Sequence, residues 1–417
     1  MGFELSAENL RWLLAGILVF KYISGHILEI LNLSRMTSVV PAGMNGWVDQ
    51  KSYELSIDFT KAKSRQRFLT STFSFLIALS ALMSGFFGVV DAWIRQYTQD
   101  PFLITFYFFV VLFGISEIAT TPFAALEKFN VDNRFHKTEK VSVWGFIFDK
   151  IKSWVITLFF GYISLLALVR IIGNPMTFPW FTAGLFVVAG YLFIKYFLNR
   201  ILIPVFNPLR EIEDKNIENA VLEYCQSVNF PVYKVKTMRA LRKADKRAVY
   251  FTGFGKNRTV IFEASLLKEH PGEELITVLA HEVGHRVLGH IPMKMALTAI
   301  HTGLLWFVFS RMAIIPQFSQ AMGGEIPSLH FSLFAFLMVY SPVTHLTGLF
   351  LNSVSRRNEF EADKFAARTT PVEFYEKALI RLYKTNPTNL TPHPAYVFVN
   401  YSHPPLARRI QALKSAA

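Results

Sequence analysis

The sequence predicts a mainly α-helical, polytopic membrane protein whose polar regions gather on one membrane face. Three observations carry this expectation. Hydrophobic residues make up 52% of the 417-residue chain and charged residues only 18%, whereas an ordinary globular protein carries about 25% charged residues. Seven windows are long and apolar enough to span a bilayer, which takes about 20 such residues. Basic residues crowd into alternate loops, the pattern of a chain threaded through a membrane. A disordered chain is excluded, because it needs few aromatics and many charges and this one has 41 Phe and a mean hydropathy of +0.31. The single cysteine, Cys225, excludes an intramolecular disulfide and a Cys-based metal cluster.

The spanning helices are expected near residues 10–30, 68–90, 102–125, 153–171, 179–198, 296–315 and 330–352. Arg11 is the only early basic residue of the first window and no small-residue cleavage site follows, so the window reads as a retained helix rather than a signal peptide. Its Lys21, His26 and Glu29 are polar groups in an apolar stretch. Such groups face a bundle interior or a watery cavity, or else snorkel to the interface. The loop after the first helix carries Arg35, Lys51, Lys61, Lys63, Arg65 and Arg67, and the loop after the third carries Lys128, Arg134, Lys137, Lys140, Lys150 and Lys152. Opposite loops hold little beyond Arg95, Arg170 and Arg311. The positive-inside rule then places the N-terminus outside and the C-terminus in the cytoplasm. Much of the net charge of +13 therefore belongs to loops on one face, which removes the reason to expect nucleic-acid binding.

Two polar stretches, 199–295 and 353–417, fall on that cytoplasmic face. In the first, Arg210–Val228 reads as an amphipathic helix, with Ile212, Ile217, Val221, Leu222 and Cys225 close to helical spacing. Val232–Val235 and two further β-like runs follow. Those two, Ala248–Phe254 and Arg258–Phe262, are separated by Gly255-Lys256-Asn257, which is hairpin chemistry.

Residues 281–285 read His-Glu-Val-Gly-His. On a helix, at about 100° per residue, His281 and His285 project about 40° apart with Glu282 on the same quadrant. They can bind one Zn²⁺ and leave the carboxylate beside the metal-bound water. Val278, Leu279 and Ala280 form an apolar lead-in, and Glu273 and Glu274 sit where a helix N-terminus favours acids. A catalytic zinc has three protein ligands and an open position, so a third is needed. His290 projects about 180° from His281 on a continuous helix and is excluded. Within Ser355–Asp363, Glu359 and Asp363 are one turn apart, so one carboxylate can bind the metal while the other accepts a hydrogen bond from a ligand imidazole. Without a metal the same pair is an acidic helix face behind a basic stop-transfer cluster. Glu361 points elsewhere and reads as a solvated surface residue. In Tyr401–Ile410, Pro404 and Pro405 rigidify the entry to a helix with Leu406, Ile410 and Leu413 on one face. That would hold His403 in place, as a donor to an oxyanion beside a zinc site or otherwise as an ordinary loop histidine.

The run from His281 to His290, with Ser355–Ala366 and Ser402–Leu413, resembles the type I CAAX prenyl proteases, integral-membrane zinc metalloproteases of the Glu-zincin class. Ala248–Leu267 is similar to that family's edge strand and hairpin, and Pro41–Arg67 to its first cytoplasmic loop. The resemblance implies seven membrane helices around a water-filled chamber that the zinc site faces. It further implies a cytoplasmic-side, zincin-like metalloprotease domain with a small β-hairpin. Helices 1–5 would occupy 1–198 and helices 6–7 would occupy 296–352, with the metalloprotease domain split between 199–295 and 353–417. His281, His285 and Glu359 would hold one Zn²⁺, with Glu282 as general base and Asp363 orienting His281. His403 would stabilise the oxyanion, and Arg409 would support the site by charge. The substrate would pair with the strand Tyr250, Phe251, Thr252, Gly253 and Phe254 by β-augmentation. Two departures stand out: Arg247-Ala248 replaces the family's Asn-Ala, and Glu263 stands where an Asp is usual.

The implied substrate is a prenylated CaaX protein that loses its last three residues in the membrane. The chain ends Lys414-Ser415-Ala416-Ala417, which carries no ER-retrieval signal. That points to the alternative of a bacterial inner-membrane homologue cutting unprenylated or misfolded proteins. A silent scaffold or a transporter using the chamber is the non-enzyme alternative; it should have lost a ligand or the base, and none is missing.

Overall fold

The computed structural model describes residues 6–41, 44–135, 142–172, 180–198, 208–238, 249–253, 257–385 and 388–415. In chain order, the first helices are α1 (Ala7–Ser34), α2 (Gln50–Met83), α3 (Phe86–Ile94), α4 (Pro101–Leu126), α5 (Val143–Ile172), α6 (Trp180–Leu192) and α7 (Lys215–Ser227). After them come α8 (Ala264–Glu269), α9 (Gly272–Val287), α10 (His290–Ala313), α11 (Gln317–Ala321), α12 (Leu329–Thr369), α13 (Val372–Thr385), α14 (Pro394–Asn400) and α15 (Leu406–Lys414). Four strands, β1 (Arg210–Glu211), β2 (Lys234–Met238), β3 (Val249–Thr252) and β4 (Thr259–Glu263), form one sheet.

Among the described residues, six helices are long and apolar enough to cross a membrane: α1, α2, α4 with its continuation to Phe135, α5, α10 and α12. Among the described residues this is one fewer than the seven expected. The window 179–198 forms α6 and a π-helical turn, Phe193–Leu198. Of that window Thr182–Lys195 ranks among the shorter apolar helices, and 173–179 and 199–207 beside it lie outside the described residues. The expected helix over 68–90 also differs. It stops at Met83, because Gly85 turns the chain at φ 71°, and α3 starts anew at Phe86. In the other direction α2 begins at Gln50, since no Gly or Pro interrupts 50–67, a stretch read as loop. The helix α12 runs 41 residues and passes without a break through 352–353, where the sequence suggested a boundary.

Two compact units share the chain. One comprises Met1–Ser34, Leu55–Val187 and Thr302–Thr347; the other comprises Arg35–Glu54, Val188–His301 and Gly348–Ala417. The first unit buries Leu10, Leu14, Leu82, Phe87, Phe108 and Phe331 in one cluster. A Cβ on Gly88 would lie 1.8 Å from the Gly323 carbonyl oxygen, so only glycine permits that backbone contact. Arg11 donates from Nε to the Ala321 carbonyl at 2.8 Å, closing the C-terminal end of α11. Lys21, His26 and Glu29 line a cavity of about 490 Å³ between α1 and α2, where Glu29 accepts from Ser64 and His26 meets Ser71 at 3.2 Å.

The second unit is built on the sheet, in the order β1-β2-β4-β3. The β2–β4 pair is parallel and the two outer pairs are antiparallel, with Tyr250 opposite Ile261 and Thr252 opposite Thr259. The expected helix from Arg210 begins only at Lys215. Asp214 caps it by accepting from the Asn216 N–H at 2.9 Å, and Arg210–Glu211 joins the sheet instead. Burial pushes the Cys225 thiol up to about 12, which makes it a packing residue. The sheet and α7 pack on Leu275, Val278, Leu279 and Val283 of α9. Each such side chain contributes about 1.5–3 kcal/mol when fully buried, so this apolar face anchors α9 on the sheet.

A buried ion pair fixes the other side. Glu274 of α9, 3% exposed, accepts from Nε and Nη2 of Arg381 of α13 at 2.8 and 3.0 Å, and lies 3.0 Å from His270 Nδ1. Burial opposes its ionisation, but the hydrogen bonds from Arg381 and His270 outweigh burial and hold its carboxyl below the ordinary range. This stabilisation is complete above the ordinary carboxylate range and is lost as pH falls through the depressed value. Arg381→Met leaves the carboxylate without its main partner and should cost about 2 kcal/mol. Thermal unfolding at pH 7 checks this by a lowered Tm, and the gap between wild type and variant should close on acidification.

Candidate metal centre

Helix α9 starts after Pro271, which a helix tolerates at its entry, with Glu273 and Glu274 in the first turn. Further along, it presents His281 and His285 one turn apart, their ring centroids 4.8 Å from each other. Helix α12 crosses close by. Gly284, between the two histidines, faces Phe365, and a Cβ on it would lie 3.1 Å from the Phe365 Cβ. The missing side chain lets α12 bring Glu359 to the histidines. Glu359 Oε2 is 3.5 Å from His281 Nε2 and Oε1 is 3.4 Å from His285 Nε2. One donor atom from each of the three lies within 4.8 Å of the others. Two imidazole nitrogens and one carboxylate oxygen, with Glu359 only 3% exposed, suit a tetrahedral Zn²⁺ with a position left open.

Asp363 sits one turn further along α12 and is 1% exposed. Its Oδ1 lies 3.0 Å from His281 Nδ1 and accepts from the Tyr375 hydroxyl at 2.6 Å. Arg409 of α15 donates to both carboxylate oxygens, at 2.9 and 2.6 Å, and to the Tyr375 oxygen at 3.0 Å. Burial raises the Tyr375 phenol well above its ordinary value, so its O–H stays in place as a donor. The network leaves the His281 Nδ1 proton facing two oxygens and its Nε2 facing Glu359. Arg409 thus acts through Asp363, and its charge offsets a carboxylate that burial alone would disfavour.

Glu282 is half-buried beside the histidines and, among the described residues, has no hydrogen-bond or ion-pair partner. His403 lies 3.3 Å from Glu359 through Nε2, while its side chain is 65% exposed. The Ser402 hydroxyl is 3.0 Å from His403 Nδ1; a hydroxyl donating there leaves the ring proton on Nε2. The loop carrying His403 is tied to α12. Arg356 Nη1 donates to the carbonyls of Val397, Phe398 and Tyr401 at 3.2, 3.2 and 2.6 Å, and Asn352 donates to Val399 at 2.7 Å.

The structure therefore brings His281, His285, Glu359, Asp363, His403 and Arg409 together, and Glu282 follows His281 on the same helix. It departs from the sequence reading at His290 and Glu361. His290 does not continue α9, because Gly289 at φ 71° breaks it; the ring turns back and its Nδ1 lies 2.9 Å from His285 Nδ1. Glu361 is not merely solvated, since it pairs with His290 at 3.1 Å and with Arg357 at 2.8 Å. Tyr375 and Arg356 carried no signal of their own, being ordinary amphipathic-helix and stop-transfer residues in sequence. Strand β3 is an outer strand of the sheet. Phe251, expected to contact substrate, turns its side chain into the core, 6% exposed, whereas Tyr250 and Thr252 lie half-buried on the other face. Phe254 and Arg247 lie outside the described residues, and Glu263 is buried at the end of β4.

Residues 29–208 match the family model described as CAAX prenyl protease N-terminal, five membrane helices, and residues 211–417 match that of peptidase family M48. The CAAX prenyl protease 1 homolog of Arabidopsis thaliana is 25% identical over 409 residues, covering 95% of this chain and 96% of its own length. The Homo sapiens homolog is 24% identical, covering 91% and 90%. The crystal structure of S. mikatae Ste24p shares the fold, with a TM-score of 0.81 at 19% identity over 97% of this chain and 99% of that one.

Asp363→Asn should lower the apparent Zn²⁺ affinity by roughly 10–100-fold, the usual loss when a ligand histidine loses its carboxylate. Tyr375→Phe should lower it less, since Arg409 still holds the carboxylate. Chelator competition on the purified full-length chain reads both.

Proposed function

The chain belongs to peptidase family M48 and is a multi-pass membrane protein, and from that premise we propose that it is a zinc endopeptidase of the CAAX prenyl protease type. The observation that carries the reading is the convergence of His281, His285 and Glu359 around one point, with Glu282, unpartnered among the described residues, following His281 on the same helix. The two histidines and Glu359 hold the metal. When bound there, Zn²⁺ acidifies a water molecule and polarises the scissile carbonyl.

Glu282 takes the proton from the attacking water on a carboxylate oxygen and delivers it to the leaving amine nitrogen, so the proton count closes within one residue. Its freedom from any ion pair among the described residues supports this role, because a carboxylate held by Arg or Lys would be a poor base. His403 presents Nε2–H beside Glu359 and donates to the developing oxyanion; its exposed ring is open to a substrate. Asp363 and Arg409 keep the His281 Nδ1 proton in place, which aims the Nε2 lone pair at the metal.

The substrate lies along β3 by β-augmentation, its backbone pairing with the outer edge at Tyr250 and Thr252. Lipid surrounds the spanning helices, and both polar regions lie on the cytoplasmic side, where the basic loops are. The names of the relatives support a prenylated C-terminus as substrate.

Glu282→Gln should retain one Zn²⁺ per chain and lower kcat by about 10²–10⁴; turnover near the wild-type level would sink the assignment of the base. A farnesylated CaaX peptide should be cleaved faster than its unmodified twin. Equal rates would identify instead a general membrane-protein protease, the bacterial type of activity.

A further inference from the structure

His285 is held differently from His281, and the difference has a direction. Its Nε2 faces Glu359 at 3.4 Å, while its Nδ1 meets the Nδ1 of His290 at 2.9 Å. Two imidazole nitrogens at that distance share one proton, so one must donate and the other accept. If His285 binds a metal through Nε2, its neutral ring carries its proton on Nδ1 and is the donor. His290 Nδ1 is then the acceptor, and the His290 proton sits on Nε2. There Glu361 Oε2 waits at 3.1 Å, and Arg357 donates from Nε to the other carboxylate oxygen at 2.8 Å.

We propose that His290 and Glu361 are positioning residues for the second metal ligand. Glu361 selects the tautomer of His290, and His290 in turn fixes the tautomer and ring plane of His285. The proposal rests on the metalloprotease reading above and adds to it residues that sequence reasoning excluded. Three features support it beyond the distances. His290 is 2% exposed, so water cannot stand in for the two contacts that its ring nitrogens make. Gly289 adopts φ 71°, and a Cβ placed on it would meet nothing within 4 Å, so the turn there serves to redirect the chain and not to fit a tight space. The carboxylate at the far end is 39% exposed, so the hydrogen-bonded chain runs from a buried ligand to the surface. The two ligand histidines are thus oriented by unlike partners, a buried carboxylate for His281 and a neutral imidazole for His285.

The test is Zn²⁺ affinity of the full-length chain by chelator competition, together with the absorption spectrum of the Co²⁺-loaded protein. His290→Ala should lower the affinity about 10–100-fold and shift the Co²⁺ ligand-field bands. Glu361→Leu, at a half-exposed position where packing is not at stake, should lower it in the same direction by a smaller factor. Glu361→Gln keeps an amide oxygen to accept from His290 and should restore it towards wild type. Affinities of His290→Ala and Glu361→Leu within twofold of wild type, with an unchanged Co²⁺ spectrum, overturn the proposal. Should His290→Ala fail to fold, judged by thermal unfolding of the apoprotein, the Leu and Gln pair at 361 decides it: equal affinities overturn it. A wild-type chain that takes up no Zn²⁺ sinks the metalloprotease reading itself, and with it this inference.

Discussion

A carboxylate with 1% exposure cannot keep its charge in an apolar surround unless partners replace the water it has lost. Asp363 is in that position, and much of the second unit follows from satisfying it. Arg409 has to come from α15, Tyr375 from α13 and His281 from α9. Three helices that are distant in sequence therefore meet at one side chain. The cost of leaving any of them out is an unpaired buried charge, so the packing of the unit and the aim of a ligand histidine are two results of one constraint.

The same helix supplies the rest of the centre. Asn352, Arg356, Glu359 and Asp363 recur at intervals of four, three and four, which places them on one stripe of α12. From one end to the other that stripe holds the carbonyls before His403, the carboxylate beside His281 and His285, and the carboxylate that binds Arg409. A rigid helix is a better ruler than a loop, and here a single helix sets the spacing between a ligand, its neighbour's support and the anchor of the loop that carries His403.

Periodicity made part of this legible in the sequence. His281, Glu282 and His285 announce themselves by spacing on a helix, as do Glu359 and Asp363, and the β3–β4 pair follows from two β-branched and aromatic runs around a glycine. What escaped has several physical causes, the first being contacts made where the backbone stops following its period. A helical projection sends His290 to the far side, and only the positive φ of Gly289 brings it back. Gly85 ends α2 early in the same way, and the lack of any glycine or proline over 50–67 lets α2 start earlier than its hydrophobicity suggests. Tyr375 was hidden for another reason. An aromatic on the apolar face of an amphipathic helix looks like core, and its hydroxyl becomes informative only once Asp363 is beside it.

Gly284 sets the gauge of the centre. It lies between the two ligand histidines, and the space its Cβ would need is already taken by Phe365 of the helix that carries Glu359. The gap between the two histidines and their third partner is therefore fixed by backbone against side chain, with little slack to take up. An alanine there would press its Cβ against the Phe365 side chain at 3.1 Å, so one of the two helices would have to give by a few tenths of an ångström. The spacing between the two helices that carry His281, His285 and Glu359 is thus set partly by a residue that has no side chain.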